Sequence, residues 1–571
     1  MSAGGRIRRR DPVTVAPGHG GQRLHPLIQR LYAARGVDLD VEAELKLSRL
    51  HPPQLLGGLD AAVDLLAAAI AGDRHIVVVG DFDCDGATGT AVAVRGLRML
   101  GARRVGYRVP NRVEHGYGLS PALVADLAPM RPDLLLTVDS GIACLPGVQA
   151  ARDRGWQVVV SDHHLPGPAL PAADAIVNPN LDGDAFPSKA LAGVGVVFYL
   201  LLALRRRLLG ERASQVDIPA LLDLVAVGTV ADLVPLDYNN RVLVAAGLAR
   251  IRRGDCVPGI RALAEVAGRP LALLGATDIG FGLAPRLNAA GRLEDMAVGI
   301  ECLLSDEPVQ AGALAASLDR INAERRDIQQ RMVDEADALV ERLAVHADGP
   351  APLVCLYDRS WHPGIVGLVA SRMKDRLHRP VLAFAPSEPG SATLRGSARS
   401  IPGLHIRDAL AAVDARHPGL VERFGGHAMA AGLTLAEDAL PALQAALAKH
   451  VAEVLDPSLL SREILSDGPL HAHEFTRETA EQLRLAGPWG QGFPEPVFDN
   501  DFDLVDWRVV GERHLKLRLG CEGIAEPLSA IQFGWDGVVP PRRLRVAYQL
   551  DLDDFRGRRS IQLLVRHIQP A

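Results

Sequence analysis

Three aspartates at alternate positions follow a short apolar run in the first part of the chain. Asp81, Asp83 and Asp85 come after the isoleucine and valines of residues 76–79, and Gly86 follows them. Carboxylates this close repel one another and cost stability unless cations lie among them. The divalent ions Mg²⁺ and Mn²⁺ favour oxygen ligands of this kind. The segment therefore predicts a binding site for such ions.

Three further groups of potential metal ligands also end apolar runs. They are Asp139 after residues 134–138, Asp162-His163-His164 after residues 158–161, and Asp232 after residues 224–231. We interpret all four runs as strands of a parallel sheet, because ligands bind beyond the carboxyl ends of the strands in open α/β sheets. Acids and histidines at four strand ends then predict one site that holds more than one metal ion.

Other interpretations of these residues exist. The spacing Asp-x-Asp-x-Asp-Gly also opens the calcium-binding loop of an EF-hand, which needs a glutamate at its twelfth position and a preceding helix. Here the twelfth position is Val92, and a valine run precedes the aspartates. Taken alone, Asp139 or Asp232 is as typical of a turn or a helix cap. The repetition of the pattern favours a shared metal site.

With these motifs the chain resembles the DHH phosphoesterases, which are named for the motif Asp162-His163-His164, and within them the bacterial exonucleases specific for single-stranded DNA. The matches follow the family's order over roughly residues 75 to 430. Cys84 stands where the family usually has a small residue such as alanine, which places a thiol beside the acids without removing a ligand. The matching segments are residues 80–86, 138–141, 161–164, 178–180, 228–236, 285–292, 361–367, 396–399 and 425–427.

This resemblance implies an α/β fold: a parallel-sheet DHH domain joined by a long helix to a smaller α/β DHHA1 domain, with a C-terminal β-barrel of the OB type. The patterns agree, since apolar residues recur at helical steps over residues 317–343 and short alternating segments occur over residues 498–569. We predict a lead segment at 1–50, the DHH domain at 51–305, the connecting helix at 306–345, the DHHA1 domain at 346–456 and the OB-like domain at 457–571.

The resemblance also implies two Mn²⁺ or Mg²⁺ ions in the acidic pocket and a phosphate-binding site in the second lobe. Every predicted catalytic residue except His164 is also a predicted metal ligand. Asp81 is expected either to bind a metal ion directly or to support the residues that do. Asp162 is expected to orient its neighbours. The predicted catalytic residues are Asp81, Asp83, Asp85, Asp139, His163, His164 and Asp232. The predicted phosphate-binding residues of the second lobe are Ser397, Arg399, Gly426 and His427, and Arg112, Arg286 and Arg292 in the DHH domain are further candidates.

The composition is that of a large protein with several domains, since 48% of its 571 residues are apolar. The basic N-terminus lacks the apolar stretch of a signal peptide, and residues 190–204, interpreted as a buried helix, fall short of the ~20 residues that span a bilayer. The six cysteines are scattered, which is typical of reduced thiols. We therefore expect a cytoplasmic protein. The net charge of −6 means that nucleic-acid binding must use local patches.

The implied activity is 5′-to-3′ degradation of single-stranded DNA to 5′-mononucleotides in DNA repair and recombination. Single-strand-binding protein and a RecQ-type helicase are the implied protein partners. One alternative is a short-oligonucleotide or cyclic-dinucleotide phosphodiesterase, although such relatives typically begin the first motif with histidine and lack the long linker and the β-rich tail. Another is a non-catalytic DHH scaffold, in which the metal residues are eroded, whereas every motif is intact here.

Four aromatic residues in the tail leave a further choice open. Trp489, Phe493, Phe533 and Trp535 either stack against the bases of a bound single strand or belong to the core.

Overall fold

The computed structural model describes residues 5–11, 24–111, 114–345, 351–511, 514–535, 537–553 and 560–571. The chain divides into two compact units. The parallel-sheet unit comprises the described parts of residues 12–322 together with residues 482–495. The barrel unit comprises the described parts of residues 1–11, 323–481 and 496–571.

The start of the chain is divided between the two units. Strand β1 (Arg6–Arg9) pairs in parallel with residues Glu463–Ser466 and belongs to the barrel unit. Residues 24–50 belong to the parallel-sheet unit. The segment predicted as a single lead at 1–50 therefore contributes to both units.

Five parallel strands form the core sheet of the parallel-sheet unit. They are β2 (Ile76–Val79), β3 (Val105–Arg108), β4 (Leu134–Val138), β5 (Gln157–Ser161) and β6 (Ala175–Val177). The order β3, β2, β4, β5, β6 makes the carboxyl ends of β2, β4 and β5 neighbours. Strands β2 and β4 are buried at every position, as expected for a parallel sheet that helices cover on both faces. Three of the four apolar runs are thus adjacent strands, as predicted.

Helices surround this sheet. Those of the parallel-sheet unit are α1 (Pro26–Ala33), α2 (Leu59–Ala71), α3 (Cys84–Met99), α4 (Pro121–Leu127), α5 (Leu145–Asp153), α6 (Gly193–Leu209), α7 (Leu222–Ala231), α8 (Tyr238–Arg253), α9 (Pro258–Val266), α10 (Ala276–Asp278), α11 (Ala284–Leu293) and α12 (Ala297–Leu304). Helices α4 and α5 pack on one face of the sheet through Leu123, Val124 and Val148. Helices α3 and α6 contact strand β4.

The fourth apolar run is a helix, so the prediction of a strand before Asp232 is wrong. Residues 224–231 lie in α7, and Asp232 is the residue that caps its C-terminal end. Residues 222 to 229 are all buried. A helix buried on every side shows no amphipathic period, and periodicity alone cannot distinguish it from a buried strand.

The predicted buried helix at residues 190–204 is α6, whose residues 193 to 201 are all buried. In the described part of the chain, no single helix is both long and apolar enough to cross a membrane. Two bent helix pairs, one of which includes α6, pass that test of length and composition only when each pair is taken together.

A 38-residue helix, α13 (Pro308–Val345), continues the chain from the parallel-sheet unit into the barrel unit. The division between the units falls after Asn322, within this helix. The sequence predicted a connecting helix at 306–345, and the apolar period predicted helix over 317–343.

The barrel unit contains a second five-stranded sheet. Its strands are β7 (Val354–Tyr357), β8 (Val381–Pro386), β9 (Thr393–Arg399), β10 (Arg423–Gly426) and β11 (Ala430–Ala436), in the order β10, β11, β9, β8, β7. Only β7 and β8 are parallel. Helices of this unit are α14 (Val366–Leu377), α15 (Ile406–Arg416) and α16 (Leu440–Val454), and α17 (Arg477–Leu485) spans the division between the units.

The C-terminal strands close into a barrel, which confirms the predicted fold class. After β12 (Glu463–Ser466) come β13 (Phe498–Val510), β14 (His514–Gly520), β15 (Leu528–Phe533), β16 (Arg543–Asp553) and β17 (Ser560–Pro570). They are joined in the order β13, β14, β15, β17, β16, with β15 and β17 parallel. Leu515, Leu517 and Leu519 alternate into the buried interior. A closed five-stranded barrel is the architecture of an OB-fold.

The four aromatic residues of the tail divide into two pairs. Trp489 and Phe493 are buried in the parallel-sheet unit and stack with ring centroids 5.1 Å apart. Phe533 is 63% exposed at the end of β15, and Trp535 follows it. The first pair is core, whereas Phe533 has a face open to a ligand.

Candidate metal centre and phosphate-binding residues

The loop between β2 and α3 presents three carboxylates in different settings. Asp83 caps α3, and its Oδ1 accepts a hydrogen bond of 3.0 Å from the backbone N–H of Gly86. Asp85 lies in the first turn, where its two oxygens accept bonds of 2.6 and 3.0 Å from the N–H groups of Gly193 and Val194. Those donors begin helix α6, whose N-terminus favours negative charge. The loop is therefore held by two helix N-termini.

Glycine is required at two positions where the backbone passes close to the acids. A Cβ atom on Gly86 would lie 2.5 Å from the carbonyl oxygen of Asp81. A Cβ on Gly193 would lie 2.5 Å from the Cβ of Asp139. Both distances are shorter than real Cβ contacts. The backbone can therefore pack this closely against Asp81 and Asp139 only because residues 86 and 193 are glycines.

Asp139 follows β4 in a strained conformation. Its φ angle is +61°, in the left-handed region that costs a non-glycine residue about 1–3 kcal/mol. Its backbone N–H donates to the carbonyl of Ser161 over 3.1 Å, and only 2% of the residue is exposed. Strained residues of this kind cluster at functional sites.

The histidines after β5 lie against the acids of the neighbouring elements. Nε2 of His163 is 3.0 Å from Oδ1 of Asp139 and 3.5 Å from Oδ2 of Asp232. Nδ1 of His164 is 4.0 Å from the same Oδ1 of Asp139. His163 thus joins a strand end, β4, to the C-terminal end of helix α7.

All seven residues predicted to be catalytic lie in one cluster. Potential ligand atoms lie within 4.8 Å of one another in each of three sets, and one set overlaps the other two, through Asp139 and through His163. The sets are Asp81, Asp83 and Asp139; Asp85, His163 and Asp232; and Asp139, His163 and His164. The fold therefore brings together every member of the predicted pocket, although one of them comes from a helix.

Burial and neighbouring charges disfavour the charged form of three acids in the cluster. Burial, and then the charge of Asp83, raises the pKa of Asp85 to about 7 despite its bonds to Gly193 and Val194. Burial and the charges of Asp85 and Asp83 raise the pKa of both Asp139 and Asp232 well above the usual range. The cluster is short of positive charge, which is the condition that bound cations relieve.

Asp162, the first residue of the DHH motif, supports its neighbours through hydrogen bonds. Its carboxylate accepts from the backbone N–H groups of Ile142, His163 and His164, and its Oδ1 lies 2.8 Å from Nδ1 of His164. Burial opposes ionisation, but the bond to His164 and the other donors leave the pKa of Asp162 lowered. Burial likewise acts to lower the pKa of His164, yet the bond to Asp162 and nearby acids raise it to about 9.

The predicted phosphate-binding arginine on helix α11 is tied to the protein. The guanidinium of Arg286 donates to the carbonyls of Gly282 and Val266 and pairs with Asp319 over 2.8 Å. Arg292 is partly buried in the last turn of the same helix. Arg112 lies outside the described residues.

The predicted phosphate-binding residues of the barrel unit lie in one sheet, on β9 and at the end of β10, with β11 between them. Nη1 of Arg399 donates to Oγ of Ser397 over 2.8 Å, and Nε donates to Oγ of Ser371 over 3.0 Å. Gly426, at the end of β10, pairs with Ala431 of β11, which in turn pairs with Ala398 of β9. The backbone N–H of His427 donates to Ala430 as the chain turns into β11. Burial lowers the pKa of Arg399.

Comparison with known proteins decides the family. The DHH family N-terminal domain model matches residues 75–229, the DHHA1 model residues 351–453 and the RecJ OB domain model residues 466–567. The single-stranded-DNA-specific exonuclease RecJ of Dickeya dadantii (strain 3937) is 53% identical over 96% of both chains. The chain belongs to the RecJ family.

RecJ structures also resemble this fold and were solved with metal ions. RecJ from Thermus thermophilus in complex with Mn²⁺ matches with a TM-score of 0.78 and 32% identity, over 96% of this chain and 76% of that one. The complex of the same protein with Mg²⁺ matches with a TM-score of 0.73 and 31% identity, over 96% and 75% of the two chains. The donor set here, five carboxylates and two imidazoles, suits both ions.

Helix α11 contacts the loop between β2 and α3 through two residues that had no predicted role. Oδ1 of Asn288 accepts a 2.8 Å bond from the backbone N–H of Cys84. A Cβ on Gly291 would lie 1.8 Å from the carbonyl oxygen of Phe82. Both residues lie in the matched segment 285–292, so the motif is the sequence signal for them, although only its arginines suggest a function by residue type.

Tyr117 is another residue that sequence reasoning missed at the RecJ metal cluster. Its hydroxyl donates to the carbonyl of Asp139 over 3.3 Å and lies 3.3 Å from Nδ1 of His164. Its residue surface remains 45% exposed. Gly116 and Gly118, both at positive φ, flank it and mark a tight loop, which is a weak sequence signal.

Proposed function

We infer that this chain is a metal-dependent exonuclease that degrades single-stranded DNA. The observation that carries this conclusion is the complete cluster of seven acids and histidines in a chain that is 53% identical, over 96% of its length, to a RecJ exonuclease. All seven positions of the predicted motifs carry residues that can bind a metal ion. Phosphodiester hydrolysis is the chemistry for which such a buried acidic donor set is suited.

We propose that Asp81, Asp83, Asp85, Asp139, His163 and Asp232 hold two Mn²⁺ or Mg²⁺ ions. When bound there, the ions supply Lewis-acid polarisation of the phosphodiester and a water of lowered pKa. The chain's own part is positional. Helix α6 fixes Asp85 through two N–H donors, and Asp162 fixes the backbone of the histidines. His164, bonded to Asp162 at Nδ1, is the residue that the proposal leaves as support beside the ligands.

The proposed polarity of degradation is 5′ to 3′, with release of 5′-mononucleotides. In this proposal the barrel unit binds the terminal phosphate through Ser397, Arg399, Gly426 and His427. The present hydrogen-bond acceptors of Arg399 are two hydroxyls and a carbonyl, all of them neutral. Its charge is therefore available to an anionic group, and bidentate phosphate contacts suit a guanidinium.

The remaining assignments follow the same domain plan. We propose a DHH domain at 51–305, a connecting helix at 306–345, a DHHA1 domain at 346–456 and an OB-like domain at 457–571, with the barrel binding the body of the single strand. Single-strand-binding protein and a RecQ-type helicase as partners, a role in repair and recombination, and a cytoplasmic location stay predictions from the family resemblance.

Two alternatives make different predictions. A phosphodiesterase of short oligonucleotides or cyclic dinucleotides would need neither the 38-residue helix α13 nor the closed barrel. A non-catalytic scaffold would not need a buried cluster of mutually repelling acids. Neither alternative explains both features.

The decisive experiment is a time course on labelled single strands of increasing length, with Mn²⁺, with Mg²⁺ and with EDTA. A label at either end reports the polarity, and the same sequence as a duplex is the control. We expect metal-dependent release of mononucleotides from the 5′ end of long single strands. Cleavage restricted to dinucleotides would favour the phosphodiesterase, and inertness with both metals would favour the scaffold.

A further inference from the structure

The dipeptide His163-His164 lies beyond the end of β5, and side chains bind all four of its backbone polar groups. Oδ1 of Asp162 accepts from the N–H of His163 over 2.7 Å and from the N–H of His164 over 3.1 Å. On the carbonyl side, Nδ2 of Asn180 donates to His163 over 2.5 Å and Nδ2 of Asn178 donates to His164 over 2.9 Å. We call the two asparagines the amide clamp.

The orientation of both amides follows from their neighbours. The backbone N–H of Asn180 can only donate, and it lies 2.8 Å from Oδ1 of Asn178, so Nδ2 of Asn178 faces His164. Nδ2 of Asn180 faces the carbonyl of His163, which can only accept. The clamp therefore has one consistent hydrogen-bonding arrangement.

The clamp is itself anchored. Asn178 is fully buried directly after strand β6, and the carbonyl of Val177 in that strand accepts from the N–H of Asp162. Nζ of Lys189 donates to the carbonyl of Pro179, between the two asparagines, over 2.6 Å. Because β6 pairs with β5, the amide clamp ties the segment of the two histidines to the sheet.

We propose that Asn178 and Asn180 are positioning residues that fix His163 and His164 in the geometry needed for metal binding. This inference rests on the proposed function. Nε2 of His163 lies close to two acids at once, 3.0 Å from Oδ1 of Asp139 and 3.5 Å from Oδ2 of Asp232. A rotation of the peptide that carries its carbonyl would displace the imidazole from both. Partners that orient metal ligands typically change affinity or activity by about 10–100-fold when removed.

The test measures Mn²⁺ affinity by calorimetric titration of the full chain, together with thermal unfolding without metal. We expect Asn180→Ala to weaken Mn²⁺ binding by about 10–100-fold and to recover cleavage partly at raised Mn²⁺. Asn178→Ser is the second variant, and Asn180→Ala decides alone if the buried substitution does not fold. The matched control is Asn500→Ala in the barrel unit, because Nδ2 of Asn500 also donates to a backbone carbonyl, that of Leu470.

The outcomes separate the clamp from the proposed function. If Asn180→Ala unfolds at a lower temperature, as the Asn500 control does, but binds Mn²⁺ as tightly as the wild type, the amides only stabilise a loop and the inference is wrong. A wild-type chain that bound no Mn²⁺ would overturn both the clamp and the metal-dependent activity. Weakened Mn²⁺ binding in Asn180→Ala with unchanged binding in Asn500→Ala supports the clamp.

Discussion

The two five-stranded sheets hold buried charge in opposite ways. At the end of the parallel sheet, Asp85 and Asp139 are buried beside the partly buried Asp232, and burial together with neighbouring carboxylate charges raises the pKa of all three. In the mixed sheet, the partly buried guanidinium of Arg399 donates to neutral hydroxyls and a carbonyl. Bound cations would stabilise the acids as anions, whereas the guanidinium stays charged beside neutral partners that a phosphate can replace. In our proposal, the first site binds metal ions and the second binds the end of the substrate.

The largest expected effect tests whether the acids act as a set. Replacing Asp232 with alanine should reduce cleavage to the detection limit, because it removes a proposed metal ligand. It should also stabilise the metal-free chain, because folding raises the pKa of this carboxyl and so disfavours the anion that the unfolded chain carries. Cleavage of a labelled single strand and thermal unfolding in EDTA measure the two effects.

The matched control is Asp223→Asn. Asp223 is a more deeply buried acid of the same helix α7, and its carboxylate accepts from the N–H groups of Leu224 and Val257, outside the cluster. We expect this variant to cleave normally and to be less stable. Near-normal turnover of Asp232→Ala would remove Asp232 from the catalytic set.

The second prediction concerns the cation. Arg399→Ala should lose charge-assisted bonds of about 1.5–3 kcal/mol each, which corresponds to roughly 10- to 150-fold in the preference for a 5′-phosphate over a 5′-hydroxyl. The measurement is kcat/KM on two strands that differ only at that end. Arg359→Ala, which removes an exposed pair with Glu437, is the control and should keep the preference. An unchanged preference in Arg399→Ala would place the end-binding group elsewhere.

The third prediction adds a neutral surface to the comparison. Phe533→Ala should weaken binding of a long single strand by the ~1–3 kcal/mol of one base stacked on an aromatic ring. The preference for a 5′-phosphate should not change, since no charge is removed. Equilibrium binding of a long strand measures the loss, and Val454→Ala, exposed but outside the barrel, is the control. Equal affinities of the two variants would exclude Phe533 from the DNA path.

The smallest effect is one of pH. The pKa of Asp85 is raised to about 7 in the folded metal-free chain, so the folded state binds a proton that the unfolded state has lost. Stability is therefore fully present at low pH and falls as pH rises through about 7. In EDTA we expect the stability to fall by about 1 kcal/mol between pH 6 and 8, which in a unit of this size lowers the melting temperature by about 1–2 °C.

Metal should reverse this dependence. Ions bind the deprotonated acids, so the stabilisation by Mn²⁺ should grow with pH. The metal-free slope should flatten in Asp85→Asn, which cannot titrate. A metal-free melting temperature that is flat from pH 6 to 8 in the wild type would contradict the picture of a repulsive cluster.

Much of the catalytic set could be predicted because its signals are local. The strands before Asp81, Asp139 and Asp162 are short, apolar and directly followed by polar residues, and parallel strands bring such ends together. The exception, Asp232, shows the limit. Its apolar run is a helix buried on every side, and such a run has the same residue types as a buried strand.

The supporting residues could not be predicted in the same way. Asn178, Asn180 and Asn288 act through hydrogen bonds to the backbone of distant residues, such as Asn288 to Cys84, and asparagine in a sequence is equally typical of any turn. Arg286 illustrates the converse, since its type suits phosphate but its contacts are with the protein.

The sequence by itself determined the family, the ligand types, the long helix and the barrel, because each is written in residues that are adjacent or periodic along the chain. Only the tertiary structure decided which elements share a unit. Residues 482–495, far along the sequence in the tail, belong to the parallel-sheet unit, where the carbonyl of Gln491 accepts from the N–H of Leu236 over 2.7 Å. Strand β1, at the other end of the chain, pairs with β12. Such pairings depend on backbone hydrogen bonds and close packing between distant segments, and no local pattern of residue types records which distant segment will supply the partner.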